Sequence, residues 1–223
     1  MFKKKALKVE PLGDQAALVT LPDEATVKRF AAAVRESQAP WLVDLVPAYV
    51  SVAVHFDLAV ADYASVAAAL AELRPLSQPP AGKLHVIPCC YERGPDLERV
   101  AQHTKLTTKE VIRLHGETTY TVYAIGFCPG FPYLGYLPPA LCGVPRLDQP
   151  RLRVEPGSVG LTGRQTGIYP LLRPGGWNLI GQTPLELVHV EDGYFPLRAG
   201  DQVRFTRIDE EEFQRRLGKR VDE

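Results

Sequence analysis

The 223-residue sequence lacks an excess of charge of either sign. Its 26 lysine and arginine residues are balanced by 26 aspartate and glutamate residues. Binding to nucleic acid or to a membrane surface without sequence specificity requires a basic excess, so the zero net charge argues against both functions. A hydrophobic content of 45% with 23% charged residues is typical of an ordinary globular protein and disfavours intrinsic disorder.

The sequence also lacks a regular apolar segment and any paired cysteine motif. Residues 118–145 run for 28 positions without a formal charge, but five prolines and four glycines exclude a membrane helix there. The basic residues at 3–5 are not followed by the apolar stretch of a signal peptide. The four cysteines contain no CxxC pair, which favours free thiols over a zinc site. We therefore expect a cytoplasmic protein.

Familiar nucleotide, nucleophile and metal motifs are missing as well. The glycines at 157, 160, 163 and 167 fit neither GxGxxG nor GxxxxGK[ST], which disfavours a Rossmann turn and a P-loop. Ser158 is not framed by GxSxG, so it lacks the sequence context of a nucleophile elbow. Histidines and carboxylates do not occur at metal-ligand spacing, and we expect no metal site.

Glycine and proline, by contrast, are abundant and concentrated in one segment. Residues 126–184 hold 11 of the 18 glycines and 10 of the 20 prolines. The same segment contains aromatic and aliphatic residues that can be buried, so it is not a low-complexity tract. We interpret it as ordered, loop-rich structure in which glycine and proline fix unusual backbone angles.

Hydrophobic periodicity predicts an α+β fold. The first part alternates between strand-like and helix-like patterns. Strands are expected at 15–20, 41–47, 50–56 and 84–90, with a helix at 27–34 after the first strand and another at 66–73 before the last. This βαββαβ order predicts a ferredoxin-like N-terminal domain. The proline-containing linker at 75–83 predicts domains 1–83 and 84–223, although strand 84–90 could instead complete the first sheet.

The second part is expected to contain helices first and strands afterwards. Helices are predicted at 96–102 and 111–115, the second preceded by a possible capping box of Thr107 and Glu110. Strands follow, including a hairpin over 185–197 and a strand at 202–208. The acidic start and basic end of the last segment predict a surface helix after Asp209.

The segment 126–184 is locally positive. It contains five arginines, no lysine and only two carboxylates. Guanidinium groups bind carboxylate or phosphate through forked hydrogen bonds, although each arginine could equally pair with a carboxylate elsewhere. Gln165 and Thr166 lie between glycines, in a loop that could bind an anion or an amide, or could form a simple turn. Trp177 could face a ligand or fill the core.

Several ordered motifs together resemble the KipI/PxpB family, also called allophanate hydrolase subunit 1. They are GFCPGFPYL at 126–134, PGSVG at 156–160, QTGIYP at 165–170 and PGGWNLIGQTP at 174–184, with PAY at 47–49 and GPDL at 94–97. The resemblance covers nearly the whole chain. It implies a C-terminal cyclophilin-like β-barrel and the B subunit of an ATP-dependent 5-oxoprolinase, which hydrolyses 5-oxo-L-proline to L-glutamate.

The resemblance also implies partners and a cofactor. The partners are an A subunit and a homologous C subunit, without which we expect the chain to be inactive. The cofactor is ATP, expected with Mg²⁺, and its binding could be shared with the partner subunits. Two alternatives remain open: an inhibitor of a sensor histidine kinase, for which residues 128–145 could offer an exposed uncharged surface, and a subunit of a urea- or allophanate-related amidohydrolase.

Within the family motifs, residue chemistry suggests roles at the site. His115 is the candidate for proton transfer, and Arg153 and Gln165 complete the catalytic set. The remaining candidates would bind substrate or nucleotide through cations, hydroxyls and aromatic walls. They are Tyr133, Arg146, Ser158, Thr166, Tyr169, Arg173 and Trp177.

Overall fold

The computed structural model describes residues 7–78 and 81–221. The chain is α/β and divides into two compact units, an N-terminal unit that ends at Ala81 and a C-terminal unit that begins at Gly82. Among the described residues, no helix combines the length and the apolar character needed to cross a membrane.

The N-terminal unit is a four-stranded antiparallel sheet with two helices. Its elements are β1 (Lys8–Pro11), β2 (Ala16–Thr20), α1 (Glu24–Glu36), β3 (Leu42–Ala48), β4 (Ser51–Phe56) and α2 (Tyr63–Glu72). The strand order is β1-β2-β4-β3. In α1, Val27, Phe30, Ala31 and Val34 are buried, as the helical spacing predicts. Asp23 begins this helix by accepting a hydrogen bond from the Thr26 N–H at 2.7 Å.

The last strand of the expected βαββαβ pattern belongs to the other unit. Leu84–Cys89 forms β5 and pairs in parallel with a strand more than a hundred residues later. The edge of the N-terminal sheet beside β2 is occupied instead by β1, which comes before the first predicted strand. The N-terminal order is therefore ββαββα, because the nearest edge is filled by the preceding segment of chain.

The C-terminal unit contains the remaining elements. After β5 come α3 (Leu97–Thr104), α4 (Thr108–Glu117), β6 (Thr119–Ile125), β7 (Pro132–Gly135), β8 (Arg151–Val154), β9 (Ser158–Thr162), β10 (Gln165–Ile168), β11 (Arg173–Gly175), β12 (Asn178–Gln182), β13 (Gln202–Arg207) and α5 (Glu210–Arg216). The predicted capping box of Thr107 and Glu110 is present at the start of α4. The predicted hairpin over 185–197 does not form two strands: within this segment His189 and Tyr194 form an isolated antiparallel bridge, and Glu186 forms an isolated bridge to Arg220.

Seven of these strands form a nearly closed, barrel-like sheet. Their order is β12-β9-β10-β7-β6-β13-β5. The two edge strands approach each other where Cys90 and Gln182 exchange backbone hydrogen bonds of 2.8 and 3.0 Å. Side chains that alternate inward, such as Leu134, Leu161 and Phe205, fill the interior. This closure fits the expected cyclophilin-like barrel.

Candidate functional site

Two glycines on the outer face of the barrel create room for a large aromatic side chain. Gly160 in β9 and Gly167 in β10 lie between residues that point into the core, so they face the opposite side of the sheet. A Cβ atom at Gly167 would lie 3.1 Å from Cζ3 of Trp177. A Cβ atom at Gly160 would lie 3.1 Å from the Cβ of Trp177. The absence of side chains at these positions allows Trp177 to pack directly on the strands.

Around Trp177 lies a second, smaller cluster, which we call the aromatic platform. Its rings are Phe131, Tyr133, Tyr169 and Trp177, packed with Cys128, Val154 and Leu179. Phe131 is central, with ring centroids 5.0 Å from Tyr133, 5.2 Å from Tyr169 and 5.5 Å from Trp177, all edge-to-face. This is the preferred geometry of aromatic pairs, so the platform is rigid.

Arg146 and Arg173 lie beside this platform. Burial raises the pKa of Tyr133 and of Tyr169, and the charge of Arg146 opposes both shifts. Burial likewise raises the pKa of the Cys128 thiol, which Arg173 partly offsets through a hydrogen bond and its charge. Within residues 7–78 and 81–221, neither arginine forms an ion pair with a carboxylate. Two guanidinium groups are thus available to bind an anion beside a cluster of rings that are buried except for the half-buried Tyr133.

The other three arginines of the segment already have partners. Arg151 pairs with the buried Asp96 at 2.7 Å, and Arg153 pairs with Glu155 at 2.6 Å. The guanidinium of Arg164 lies over the ring of Tyr136, 4.4 Å from its centroid. The structure therefore reduces the predicted arginine cluster to Arg146 and Arg173.

His115 lies in the barrel interior rather than beside the platform. Its Nδ1 is 2.8 Å from the Tyr91 hydroxyl and its Nε2 is 3.0 Å from Oγ1 of Thr166. Because the Thr166 hydroxyl donates its proton to the carbonyl of Gly160, it must accept a hydrogen bond from Nε2–H, which leaves Nδ1 to accept from Tyr91. Complete burial lowers the pKa of His115 from 6.5 to about 3, so the imidazole is neutral with both nitrogens engaged.

This burial predicts a pH dependence of stability. The unfolded chain takes up a proton at His115 below pH 6.5, whereas the folded chain does so only near a pKa of about 3. Above pH 6.5, His115 therefore does not lower the free energy of unfolding. As the pH falls below 6.5, the free energy of unfolding decreases, by about 3 kcal/mol at about pH 4. Urea unfolding of wild type and His115→Gln across this range should show a flatter profile for the variant. Parallel profiles would contradict the assignment.

The other predicted residues are divided between the two faces of the sheet. Thr166 points inward to His115, and Ser158 is buried at the start of β9. Gln165 is half-buried and, by strand alternation, faces the same side as Gly167 and hence the platform. The structure thus brings together Tyr133, Tyr169 and Trp177 with Arg146 and Arg173, and places Thr166 and His115 behind them. Ser158, two residues before Gly160 in β9, lies on the platform side of the sheet by the same alternation.

Three residues at or next to the site were not predicted individually. Cys128 packs within the platform, and Phe127 touches its edge, with ring centroids 5.4 Å from Phe131 and 6.1 Å from Tyr169. Both lie in the motif GFCPGFPYL, which carries the family resemblance but assigns them no role. A third residue, Asp96, is anchored below β12: it accepts hydrogen bonds from the Leu179 N–H and from Arg151, both at 2.7 Å.

Comparison with known proteins places this fold in a family. The family model described as "Carboxyltransferase domain, subdomain C and D" matches residues 7–193. The chain is 36% identical to the B subunit of 5-oxoprolinase from Bacillus subtilis, over 92% of this chain and 94% of that protein. It is 50% identical to the B subunit of 5-oxoprolinase from Escherichia coli O157:H7, over 56% of this chain and 59% of that protein. The chain therefore belongs to this carboxyltransferase-domain family, and the resemblance to the KipI/PxpB proteins is confirmed.

Solved structures show the same fold within longer chains. The crystal structure of TTHA0988 superposes with a TM-score of 0.78 at 35% identity, over 87% of this chain but only 40% of that chain. The urea carboxylase of Kluyveromyces lactis superposes with a TM-score of 0.70 over 93% of this chain and 22% of that one. At 19% identity, the second match supports the fold alone.

Proposed function

We propose that the chain is the B subunit of an ATP-dependent 5-oxoprolinase, which hydrolyses 5-oxo-L-proline to L-glutamate together with A and C subunits and is inactive alone. Three relatives that carry the name of the 5-oxoprolinase B subunit support this proposal. The structural observation that carries it is the pair Arg146 and Arg173, without protein carboxylate partners in the described residues, beside the aromatic platform. Such a surface suits a small organic acid.

The chemistry explains why ATP is required. Amide resonance makes a lactam carbonyl a poor electrophile, so transfer of the γ-phosphoryl group to the carbonyl oxygen, with ADP leaving, activates its carbon. Addition of water and cleavage of the C–N bond then give the free amine and an acyl phosphate. A second water hydrolyses the acyl phosphate to glutamate and phosphate.

In this scheme the described residues bind and orient the substrate. Arg146 and Arg173 would pair with its carboxylate, and the platform would exclude water from one side. Gln165 would hydrogen-bond the lactam. Arg153 could contact the substrate only after its ion pair with Glu155 breaks. We propose that His115 and Thr166 position β10 from behind rather than move a proton. ATP with Mg²⁺ would bind together with the partner subunits.

Domain boundaries and location are also part of the proposal. We propose a ferredoxin-like N-terminal domain within 1–83, with β1 in the edge position, and a cyclophilin-like domain over 84–223; this boundary lies two residues beyond the one between the compact units. A cytoplasmic location agrees with the four cysteines, which are all unpaired.

The experiment is reconstitution with purified A and C subunits, ATP and 5-oxoproline. Glutamate should form only when this chain is present and ATP is supplied. Undiminished glutamate formation without this chain would contradict the proposal. Urea and allophanate as substrates in the same assay test the amidohydrolase alternative. The alternative of a kinase inhibitor is tested by measuring autophosphorylation of a sensor histidine kinase with and without this chain.

No structural observation favours the kinase inhibitor. The large apolar side chains of 128–145, including Phe131, Leu134 and Leu141, are buried in the platform or the barrel core. The uncharged surface expected over this segment is therefore reduced to small residues, prolines and the half-buried Tyr133 and Tyr136. Their exposure reflects loop structure rather than an apolar docking face.

A further inference from the structure

The backbone makes a tight and unfavourable turn at Phe127. Its φ is 68°, a value that aromatic L-residues rarely adopt. The Cys128 N–H donates a hydrogen bond of 2.8 Å to the carbonyl of Gly126, two residues earlier. A three-residue turn with this bond and a positive central φ is the rare, strained type of γ-turn.

The surrounding loop fixes this turn. The Gly126 N–H donates to the carbonyl of Phe131, and the Phe131 N–H donates to the carbonyl of Cys128, both at 3.1 Å. On the other side, Gly130 has a φ of 75°, and a Cβ there would lie 2.1 Å from Cγ2 of Val188. Gly130 is therefore required at this point of the loop, because any side chain there would clash with Val188.

Burial of the side chain does not offset this strain. Phe127 is 57% exposed, whereas Phe131, four residues later, is 2% exposed. The Phe127 ring forms T-shaped pairs with Phe131 and Tyr169, yet more than half of the residue's surface stays exposed. A residue held in a rare conformation with its apolar ring in solvent indicates a functional constraint.

We propose that Phe127 determines substrate specificity by contacting the lactam ring at the edge of the platform. Arg173, a cation without a carboxylate partner in the described residues, contacts Cys128, the next residue in the chain, while the Phe127 ring packs on Phe131 and Tyr169 of the same platform. The substrate has matching halves: a carboxylate for Arg146 and Arg173, and an apolar ring face for Phe127. This inference rests on the proposed function of the site.

The test is Phe127→Gly in the reconstituted complex. Glycine adopts a positive φ without strain, so the variant should unfold at the same or a higher urea concentration than wild type. Loss of the ring contact should raise KM for 5-oxoproline about tenfold, with kcat within about twofold. Phe127→Tyr keeps the ring and should retain a KM near that of wild type. The control is Leu217→Ala, which truncates a 60% exposed side chain directly after α5 and should leave KM unchanged.

The outcomes separate this inference from the proposed function. An unchanged KM in Phe127→Gly, or a clear loss of stability, would overturn the specificity role. If the wild-type complex forms no glutamate, the proposed function fails, and binding of 5-oxoproline is then followed by Trp177 fluorescence in a Trp41→Phe background. Weaker binding by Phe127→Gly supports the inference, whereas equal or absent binding overturns it.

Discussion

Replacing both Arg146 and Arg173 by glutamine is expected to lower kcat/KM for 5-oxoproline about 100-fold in the reconstituted complex. Each guanidinium would form a charged hydrogen bond to the substrate carboxylate, and each such bond contributes about 1.5 kcal/mol or more. Glutamine keeps a donor but removes the charge. Because neither arginine forms an ion pair in the described residues, the substitutions should leave the fold intact.

The matched control is Arg113→Gln. Arg113 pairs with Glu117 on the exposed surface of α4, at 2.7 Å, and should contribute nothing to substrate binding. Its kcat/KM should equal that of wild type, and all variants should show the wild-type circular dichroism spectrum. Wild-type kinetics in the folded Arg146→Gln/Arg173→Gln variant would remove both arginines from the site.

Replacing Asp96 by alanine is expected to lower the free energy of unfolding by about 3 kcal/mol. Asp96 is 7% exposed and accepts hydrogen bonds from the Leu179 N–H and from Arg151. Alanine would leave a buried N–H without an acceptor and Arg151 without its carboxylate. Since Leu179 is part of the platform, the strand below Trp177 should also loosen.

Urea unfolding measures this loss, with Asp96→Asn as the comparison. Asparagine retains an oxygen that can accept from Leu179 but removes the charge that pairs with Arg151. The loss should therefore be smaller, about 1–2 kcal/mol. A decrease below about 1 kcal/mol for Asp96→Ala would show that the carboxylate does not anchor β12 to α3.

Local patterns in the sequence predict most of the N-terminal elements. The spacing of Val27, Phe30 and Val34 predicts α1, and the alternation over 50–56 predicts β4. The sheet to which Leu84–Cys89 belongs could not be predicted in this way. Its partner, Gln202–Arg207, is distant in the chain, and an apolar strand carries no information about which edge it will join.

The site was only partly predictable for the same reason. The density of arginine in 126–184 indicates anion binding, but which arginines remain without carboxylate partners depends on Asp96 and Glu155 in the folded chain. The interior position of His115 depends on its contacts with Thr166 and Tyr91, and these three residues come from three separate segments. The positive φ of Phe127 has no residue-type signal, since glycine, not phenylalanine, is usual there.

The most direct test of this account is glutamate formation from 5-oxoproline by purified A and C subunits, measured with and without this chain. We expect ATP-dependent glutamate that rises with the concentration of this chain until it saturates, and none in its absence. Equal glutamate formation at every concentration of this chain, including zero, would contradict its role as a required subunit.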